Sequence, residues 1–302
     1  MLQSRRRHGG TPMLLQDKVA IITGAGTGIG EAIAHKFARE GARLVLSGLP
    51  ADPVQEVADT IIAGGGAAAA HLGDLAEEAE ARACMDMAIR RFGRLDVLVN
   101  NAGVFIAHAE TDAYRLEDFE RTMRNNVRTA FLMTKFALPY LRQTRGNIIF
   151  TGSEAGINGS PMFTPYGGSK GFLHAFMKGV ALEQARYGVR ANCVCPGPID
   201  TAWTRGREGP IPAADQEKID AMVPLGRRGT PEEMANIFAF LASDEASYVT
   251  GALWLADGGV TPAKASVGDL VPEEFRRPPA GKLPLRHSHD GLRGKEVYRA
   301  VK

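Results

Sequence analysis

At 302 residues, with 44% hydrophobic and 23% charged side chains, the chain has the composition of an ordinary globular protein and length enough for one large core. Its formal net charge of +2 predicts no general attraction to nucleic acid, and basic residues gather instead near the two ends, at Arg5-Arg6-Arg7-His8 and Arg276-Arg277. No window approaches the ~20 apolar residues of a membrane span, the N-terminus lacks the apolar stretch of a secretory signal, and the three cysteines form no disulfide framework, which agrees with a reducing cytoplasm.

Residues 1–13 read as a flexible leader, 14–261 as a catalytic domain and 262–302 as a C-terminal extension. The domain opens with Lys18-Val19-Ala20-Ile21-Ile22-Thr23, a β-branched apolar run that reads as a buried strand. It meets Gly24-Ala25-Gly26-Thr27-Gly28-Ile29-Gly30, and a helical pattern follows from Glu31 to Ala38. Strand, glycine turn and helix together place a pyrophosphate on a helix N-terminus, where free N–H groups and the positive dipole end favour anions. The glycines do not fit G-x-G-x-x-G, because Ile29 stands at the third position; they fit T-G-x-x-x-G-x-G, filled by Thr23, Gly24, Gly28 and Gly30.

The second strand, Arg43 to Ser47, ends at Ser47-Gly48-Leu49-Pro50, where an acid for the adenosine ribose usually stands. Neither an acid nor a base is present there; Asp52 is the nearest acid, so NAD and NADP both stay open. An aspartate placed at Gly48 would supply the diol acceptor. Strand-like and helix-like segments then alternate, predicting an α/β fold: a single-domain, Rossmann-type, doubly wound parallel sheet with helices on both faces.

Ser153 ends the strand Gly146 to Ser153, and after a loop rich in Gly and Pro come Tyr166 and Lys170. Four residues is one helical turn, so the phenol and the ammonium share a helix face. A lysine beside a tyrosine favours the phenolate and lowers a phenol pKa of about 10, which suits proton exchange with an alcohol or carbonyl. The same helix is predicted to bury a stripe through Phe172, Ala175, Phe176, Val180 and Leu182. Cys193 and Cys195 alternate along an apolar strand and point the same way; they read as small buried hydrophobes rather than a metal pair. His35, His71, His108 and His174 show no ligand spacing and read as surface or cap residues, so no metal is expected. Thr230-Pro231-Glu232-Glu233 reads as an N-cap followed by a helix start.

From about Lys18 to Gly259 the chain resembles the short-chain dehydrogenase/reductase family, through the glycine turn, Gly73-Asp74-Leu75, Asn100-Asn101-Ala102-Gly103, Asn126, Ser153, Tyr166-x-x-x-Lys170 and Pro196-Gly197-Pro198-Ile199-Asp200-Thr201. The resemblance implies a catalytic tetrad of Asn126, Ser153, Tyr166 and Lys170, with Asn126 rather than Asn125 positioning a water next to Lys170. It implies a cofactor site formed by Gly24, Thr27, Gly28, Ile29, Gly30, Ser47, Gly48, Asp74, Leu75, Asn101, Ala102, Gly103, Tyr166, Lys170, Pro196, Gly197, Ile199 and Thr201. In it Asp74 meets the adenine, Lys170 the nicotinamide ribose and Thr201 the carboxamide. The activity implied is hydride transfer between NAD or NADP and a secondary alcohol or its ketone, with Ser153, Glu154, Tyr166 and Trp203 meeting the substrate. The stretch from Pro198 to about Pro212 would be a lid.

Epimerase or dehydratase chemistry and a regulatory or structural protein that has lost turnover are the competing functions; intact Ser153, Tyr166 and Lys170 with the glycine turn argue against a cofactor-free version of the first, and the retained Tyr166 and Lys170 argue against the second. A homotetramer or a dimer is implied by the resemblance, with no nucleic-acid or membrane partner. The extension after Gly259 is rich in Pro and reads as an arm more than a tail, with Leu270, Val271, Phe275, Leu283, Leu285 and Tyr298 as anchors.

Overall fold

The computed structural model describes residues 13–201, 213–263, 270–279, 281, 283–285, 287 and 299–300. Seven strands form one parallel sheet: β1 (Val19–Thr23), β2 (Arg43–Gly48), β3 (Ala67–Leu72), β4 (Val97–Asn100), β6 (Asn147–Thr151), β7 (Arg190–Pro196) and β8 (Leu253–Ala256). Their spatial order is β3-β2-β1-β4-β6-β7-β8. A separate parallel pair joins β5 (Ala107–His108) to β9 (Arg299–Ala300). The inner strands read as continuous apolar runs because helices cover both faces.

Strand periodicity divides the core in two. Ala20, Ile22 and Val194 face the layer of α1 (Gly28–Arg39), α2 (Val54–Ala63) and α8 (Pro231–Ala242). Val19, Ile21, Cys193 and Cys195 face the layer of α3 (Glu78–Phe92), α5 (Thr129–Thr144) and α6 (Thr164–Gln184). Two shorter helices, α4 (Leu116–Met123) and α7 (Ala213–Met222), complete the set. The expected N-cap at Thr230 is a full capping box: Thr230 Oγ1 accepts the Glu233 N–H and Glu233 Oε2 accepts the Thr230 N–H.

The chain runs outward from β1 to β3 and returns on the other side of β1 as β4. The crevice between the carboxyl ends of β1 and β4 is therefore the point where strand order reverses, the place where open α/β sheets bind ligands.

Two expectations need correction. The buried face of α6 is Ser169, Lys170, Leu173, His174, Met177, Val180 and Ala181, while Phe172 is half-exposed and Leu182 is exposed. The stripe is rotated because the helix must turn Lys170 inward, and its apolar neighbours at i+3 and i+7 go with it. His35, His71 and His174 are buried rather than at the surface. In the extension, Leu283 and Leu285 pack against the core on the α1 side, whereas Leu270 and Phe275 are exposed on this chain; Tyr298 lies outside the described residues. No helix among the described residues is long and apolar enough to cross a membrane.

Candidate active site

β1 ends on Thr23, and the turn after it takes a path suited to glycine. Gly24 and Gly28 have φ of +63° and +55°, in the left-handed region that costs other residues strain. A Cβ on Gly30 would lie 2.0 Å from the Gly24 carbonyl oxygen, and one on Gly24 would lie 2.9 Å from the Ala102 Cα. Thr23 Oγ1 accepts the N–H groups of Asn101 and Ala102 at 3.0 and 2.9 Å. Asn101 Nδ2 donates to the carbonyls of Thr23 and Gly24, and its Oδ1 accepts from Thr151 Oγ1 at 3.1 Å. The Asn101 side chain thus ties the turn to β4 and β6.

Helix α1 opens at Gly28, and Thr27 makes no side-chain cap bond. Its first N–H groups stand at the switch point without a side-chain cap, the arrangement that receives an anion. The residues fit a dinucleotide: Gly24 and Gly28 hold the left-handed turn, the packing leaves no room for a Cβ on Gly24 or Gly30, and the uncapped helix end supplies the phosphate donors.

At the end of β2, Ser47 and Gly48 are buried. Asp52 folds back beside them: its Oδ2 accepts the Leu49 N–H at 3.0 Å and lies 2.8 Å from where a Gly48 Cβ would sit. Its own Cβ is 3.3 Å from a Cβ built on Gly26. An acid from four residues further on therefore stands beside the strand end. Asp74 accepts the Ala76 N–H and pairs with Arg124, a partner that sequence spacing did not suggest. Leu75 is buried in the core under α3, so only its backbone is available to a cofactor.

Between α4 and α5 the helix passes through a π-turn at Arg124–Arg128, a distortion that recurs at functional sites. It carries Asn126 into the interior, where Oδ1 accepts the Val104 N–H at 2.7 Å and Nδ2 donates to the Val104 carbonyl and Ser169 Oγ, each at 3.0 Å. Asn125 bonds only back to the Arg121 carbonyl on its own helix. The Asn126 side chain is spent on Val104 and Ser169, so it fixes the loop after β4 against α6.

Ser153 follows β6 and caps a short 3-10 turn, its Oγ accepting the Ala155 N–H at 3.2 Å. Tyr166 lies edge-on to Phe105, ring centroids 5.4 Å apart. Lys170 Nζ donates to the Thr151 carbonyl at 2.8 Å and sits 5.6 Å from the centre of the Tyr166 ring. A Cβ on Gly103 would stand 3.2 Å from Asn126 Oδ1 and 3.4 Å from Lys170 Nζ, so the β4 loop closes directly over both.

The electrostatics differ from the sequence expectation. Burial pushes the Tyr166 phenol up to about 12, a hydrogen bond with Ser153 pulls it back, and the charge of Glu154 adds to the rise. Burial also brings Lys170 down to about 8. Desolvation is the largest cause at both groups because both lie inside the protein. Glu154 is held above the usual carboxylate range, first by burial and next by the charge of Asp257, against a hydrogen bond from Asn158.

Beyond β7, the Gly197 N–H donates to the Ala256 carbonyl, Ile199 bridges to Gly229, and the Thr201 methyl lies 3.3 Å from a Cβ built on Gly28. Pro196 to Thr201 thus run alongside the glycine turn. Trp203, expected to meet the substrate, lies outside the described residues. On the far side of Lys170, α6 and β7 bring together His174, Cys193 and Cys195, a grouping hidden in the sequence because helix and strand are about twenty residues apart.

The model of the enoyl-(acyl carrier protein) reductase family matches residues 24–261. The chain is 37% identical over 249 residues to meso-2,3-butanediol dehydrogenase of Serratia marcescens, covering 82% of this chain and 96% of that one. It is 36% identical to cyclohexanol dehydrogenase of Acinetobacter sp. (strain SE19), over 81% of this chain and 95% of the relative. Among solved structures, 3-ketoacyl-(acyl-carrier-protein) reductase from Brucella melitensis complexed with NADH superposes with a TM-score of 0.74 at 32% identity, covering 82% of this chain and 99% of the other.

Proposed function

The chain belongs to the short-chain dehydrogenase/reductase family, and from that premise we propose that Tyr166 is the acid/base of an NAD(P)-dependent hydride transfer between a secondary alcohol and its ketone. The observation that carries this reading is the convergence of Ser153 and Lys170 on Tyr166, next to an uncapped helix end. The cofactor, when bound, supplies or accepts the hydride. The protein orients the substrate and manages its proton.

In reduction, Tyr166 Oη gives its proton to the carbonyl oxygen; in oxidation it takes the alcohol proton. Ser153 Oγ–H donates to the same oxygen and stabilises charge that develops there. Lys170, anchored on the Thr151 carbonyl, keeps a positive charge near the phenol and is the residue that would hold the ribose hydroxyls. Burial keeps the Tyr166 phenol protonated at neutral pH, so it carries the proton that reduction requires. Asn126 holds the β4 loop and Ser169 in register. Gly24, Thr27, Gly28, Ile29 and Gly30 would receive the pyrophosphate, Asp52 the adenosine ribose, and the segment from Pro196 to Thr201 the nicotinamide.

Glu154 is the residue that narrows the substrate. It follows Ser153 directly, is half-buried, and its charge acts on Tyr166. A carboxylate there would accept a hydrogen bond from a second hydroxyl beside the reacting carbon, so the reading favours a diol or hydroxyketone of the kind named for the butanediol relative. The assembly implied is a homotetramer or dimer in the cytoplasm, using exposed Phe131 and Phe172 of α5 and α6 and Leu255 of β8; sedimentation as a monomer at micromolar concentration would refute it.

Tyr166→Phe tests the central role. It should lower kcat by at least about 10²–10⁴ while leaving cofactor affinity within a few-fold. A folded variant with near-normal turnover would sink the mechanism.

A further inference from the structure

Tyr166, Lys170 and His174 follow one another at four-residue spacing on α6, so His174 lies one turn beyond the lysine on the same inward face. That face packs on β7, whose residues 193 and 195 both point towards it. The three side chains meet: Cys195 Sγ is 3.3 Å from His174 Nε2, and Cys193 Sγ is 3.9 Å from Cys195 Sγ. All three donor atoms lie within 4.8 Å of one another, and all three residues are buried.

We propose that His174, Cys193 and Cys195 form a binding site for a thiophilic divalent cation, with Zn2+ as its biological occupant, that fastens the catalytic helix α6 to β7. The donor set is that of protein zinc: thiolate sulfur at about 2.3 Å and imidazole nitrogen at about 2.0 Å in a tetrahedron. Such a tetrahedron sets two sulfurs about 3.8 Å apart and a sulfur and a nitrogen about 3.5 Å apart. The Cys193–Cys195 and Cys195–His174 spacings of 3.9 and 3.3 Å match two of those edges, and the third pair, His174 and Cys193, lies within 4.8 Å and needs a small side-chain shift to close on the metal. Charge fits as well. Two thiolates and a neutral imidazole around a divalent cation make a cluster of zero net charge, the only kind a buried position accepts cheaply.

Room for the histidine ring is made by two glycines. A Cβ on Gly152 would lie 2.5 Å from His174 Nε2 and 2.7 Å from Cys193 Sγ, and one on Gly156 would lie 2.6 Å from His174 Cε1. With three protein donors, the fourth position falls to a small ligand. On binding, each thiol loses its proton to solvent as its sulfur–metal bond forms, and no oxidation occurs. Lys170, which donates to the carbonyl of Thr151, stands one helical turn away. Thr151 pairs in register with Val194, between the two cysteines.

The test is to refold the full chain in Zn2+ or in Cd2+ after treatment with a chelator, then remove loose metal by gel filtration. We expect one metal per chain, an ultraviolet sulfur-to-cadmium charge-transfer band, and a higher melting midpoint than the metal-free protein. The band and the bound metal should disappear in a Cys193→Ala/Cys195→Ala variant and persist in Cys84→Ala, which removes the buried cysteine of α3. Melting and cofactor binding of the metal-free variants show whether each has folded. In case the double variant fails to fold, His174→Gln, which keeps a polar side chain of similar reach, should bind at least ten-fold more weakly. Sub-stoichiometric metal without the band in the wild-type chain would overturn the proposal. So would a band that survives the double cysteine change.

Discussion

The backbone N–H of His287 donates to both carboxylate oxygens of Glu31, at 3.1 and 3.0 Å. Glu31 lies in the first turn of α1, one residue after the glycine turn, and is fully buried. The imidazole of the same histidine pairs with Glu56 on α2 at 3.3 Å. Leu283 and Leu285 pack on the same layer, so these residues of the extension hold to the layer that carries the glycine turn.

Truncation after Thr261 removes those contacts and leaves the family match, which ends at 261, intact. Two half-buried leucines and one charge-assisted hydrogen bond predict a loss of about 2–4 kcal/mol. Urea denaturation of the truncated chain measures it. Phe275, exposed on this chain, should contribute nothing unless a second subunit covers it. Phe275→Ala should therefore leave a monomer's stability unchanged, and it should weaken an assembly that uses the arm.

Lys170 trades stability for function. Its folded pKa of about 8 lies below its ordinary 10.5, so between those values the unfolded chain binds more protons and stability rises with pH. Below about pH 8 the cost of the buried ammonium is present in full. Lys170→Met should therefore raise stability at pH 7 by about 2 kcal/mol, after allowing for the lost bond to Thr151. The gain should shrink as pH approaches 10.5. Turnover should vanish in the same variant, and reduction by the wild-type protein should decline above about pH 8 as Lys170 loses its charge. A Lys170→Met protein less stable than wild type at pH 7 would contradict the desolvation account.

Glu154 has the opposite sign. Its folded pKa is raised by burial, so the native state binds more protons than the unfolded chain and stability falls as pH rises through the carboxylate range. Glu154→Gln should raise the melting temperature at pH 7 and make no difference well below pH 4.5. If the carboxylate receives a second substrate hydroxyl, the same change should cut kcat/KM for a vicinal diol by about ten-fold or more, the worth of one hydrogen bond to a charged group. A simple secondary alcohol of similar size should be much less affected. Equal losses on both substrates would remove Glu154 from recognition.

What the sequence made legible were features with a short period or a fixed local shape. The β1 run, the glycine turn and the Thr230 cap each depend on neighbours within a few residues, and the parallel sheet covered on both faces follows from alternating strands and helices. Of the two neighbouring asparagines, it is Asn126 that turns inward to Val104 and Ser169. The features missed depend on distant segments. The inward face of α6 was misplaced by counting aromatic residues, when the polar Lys170 had to be turned into the protein. His174 looked isolated because its partners are on β7. The rise of Tyr166 could not be foreseen from its spacing to Lys170, since burial, a property of the whole fold, is its largest cause. Asp52 was visible as the nearest acid, but its return to within 2.8 Å of a Gly48 Cβ depends on the turn after β2 and not on spacing.

That return carries the last prediction. Gly48→Asp, attractive on sequence alone, would force a Cβ within 2.6 Å of Val54 Cγ2 and 2.8 Å of Asp52 Oδ2. It should destabilise the protein and set two carboxylates against each other, with no gain in NAD binding. The residue to change is Asp52. Its carboxylate stands at the end of β2 beside the glycine turn, where it would accept from a ribose diol and repel a 2′-phosphate. Asp52→Ser keeps an acceptor for the Leu49 N–H while removing the charge. The NADP-to-NAD ratio of kcat/KM should then rise by about ten-fold or more, since an unfavourable pairing of two anions at a few ångströms is worth over a kilocalorie per mole. Initial rates with both cofactors, in the wild-type chain and in Asp52→Ser, measure the shift. An unchanged ratio would mean that Asp52 only closes its own turn, and the adenosine ribose would then be read by another group.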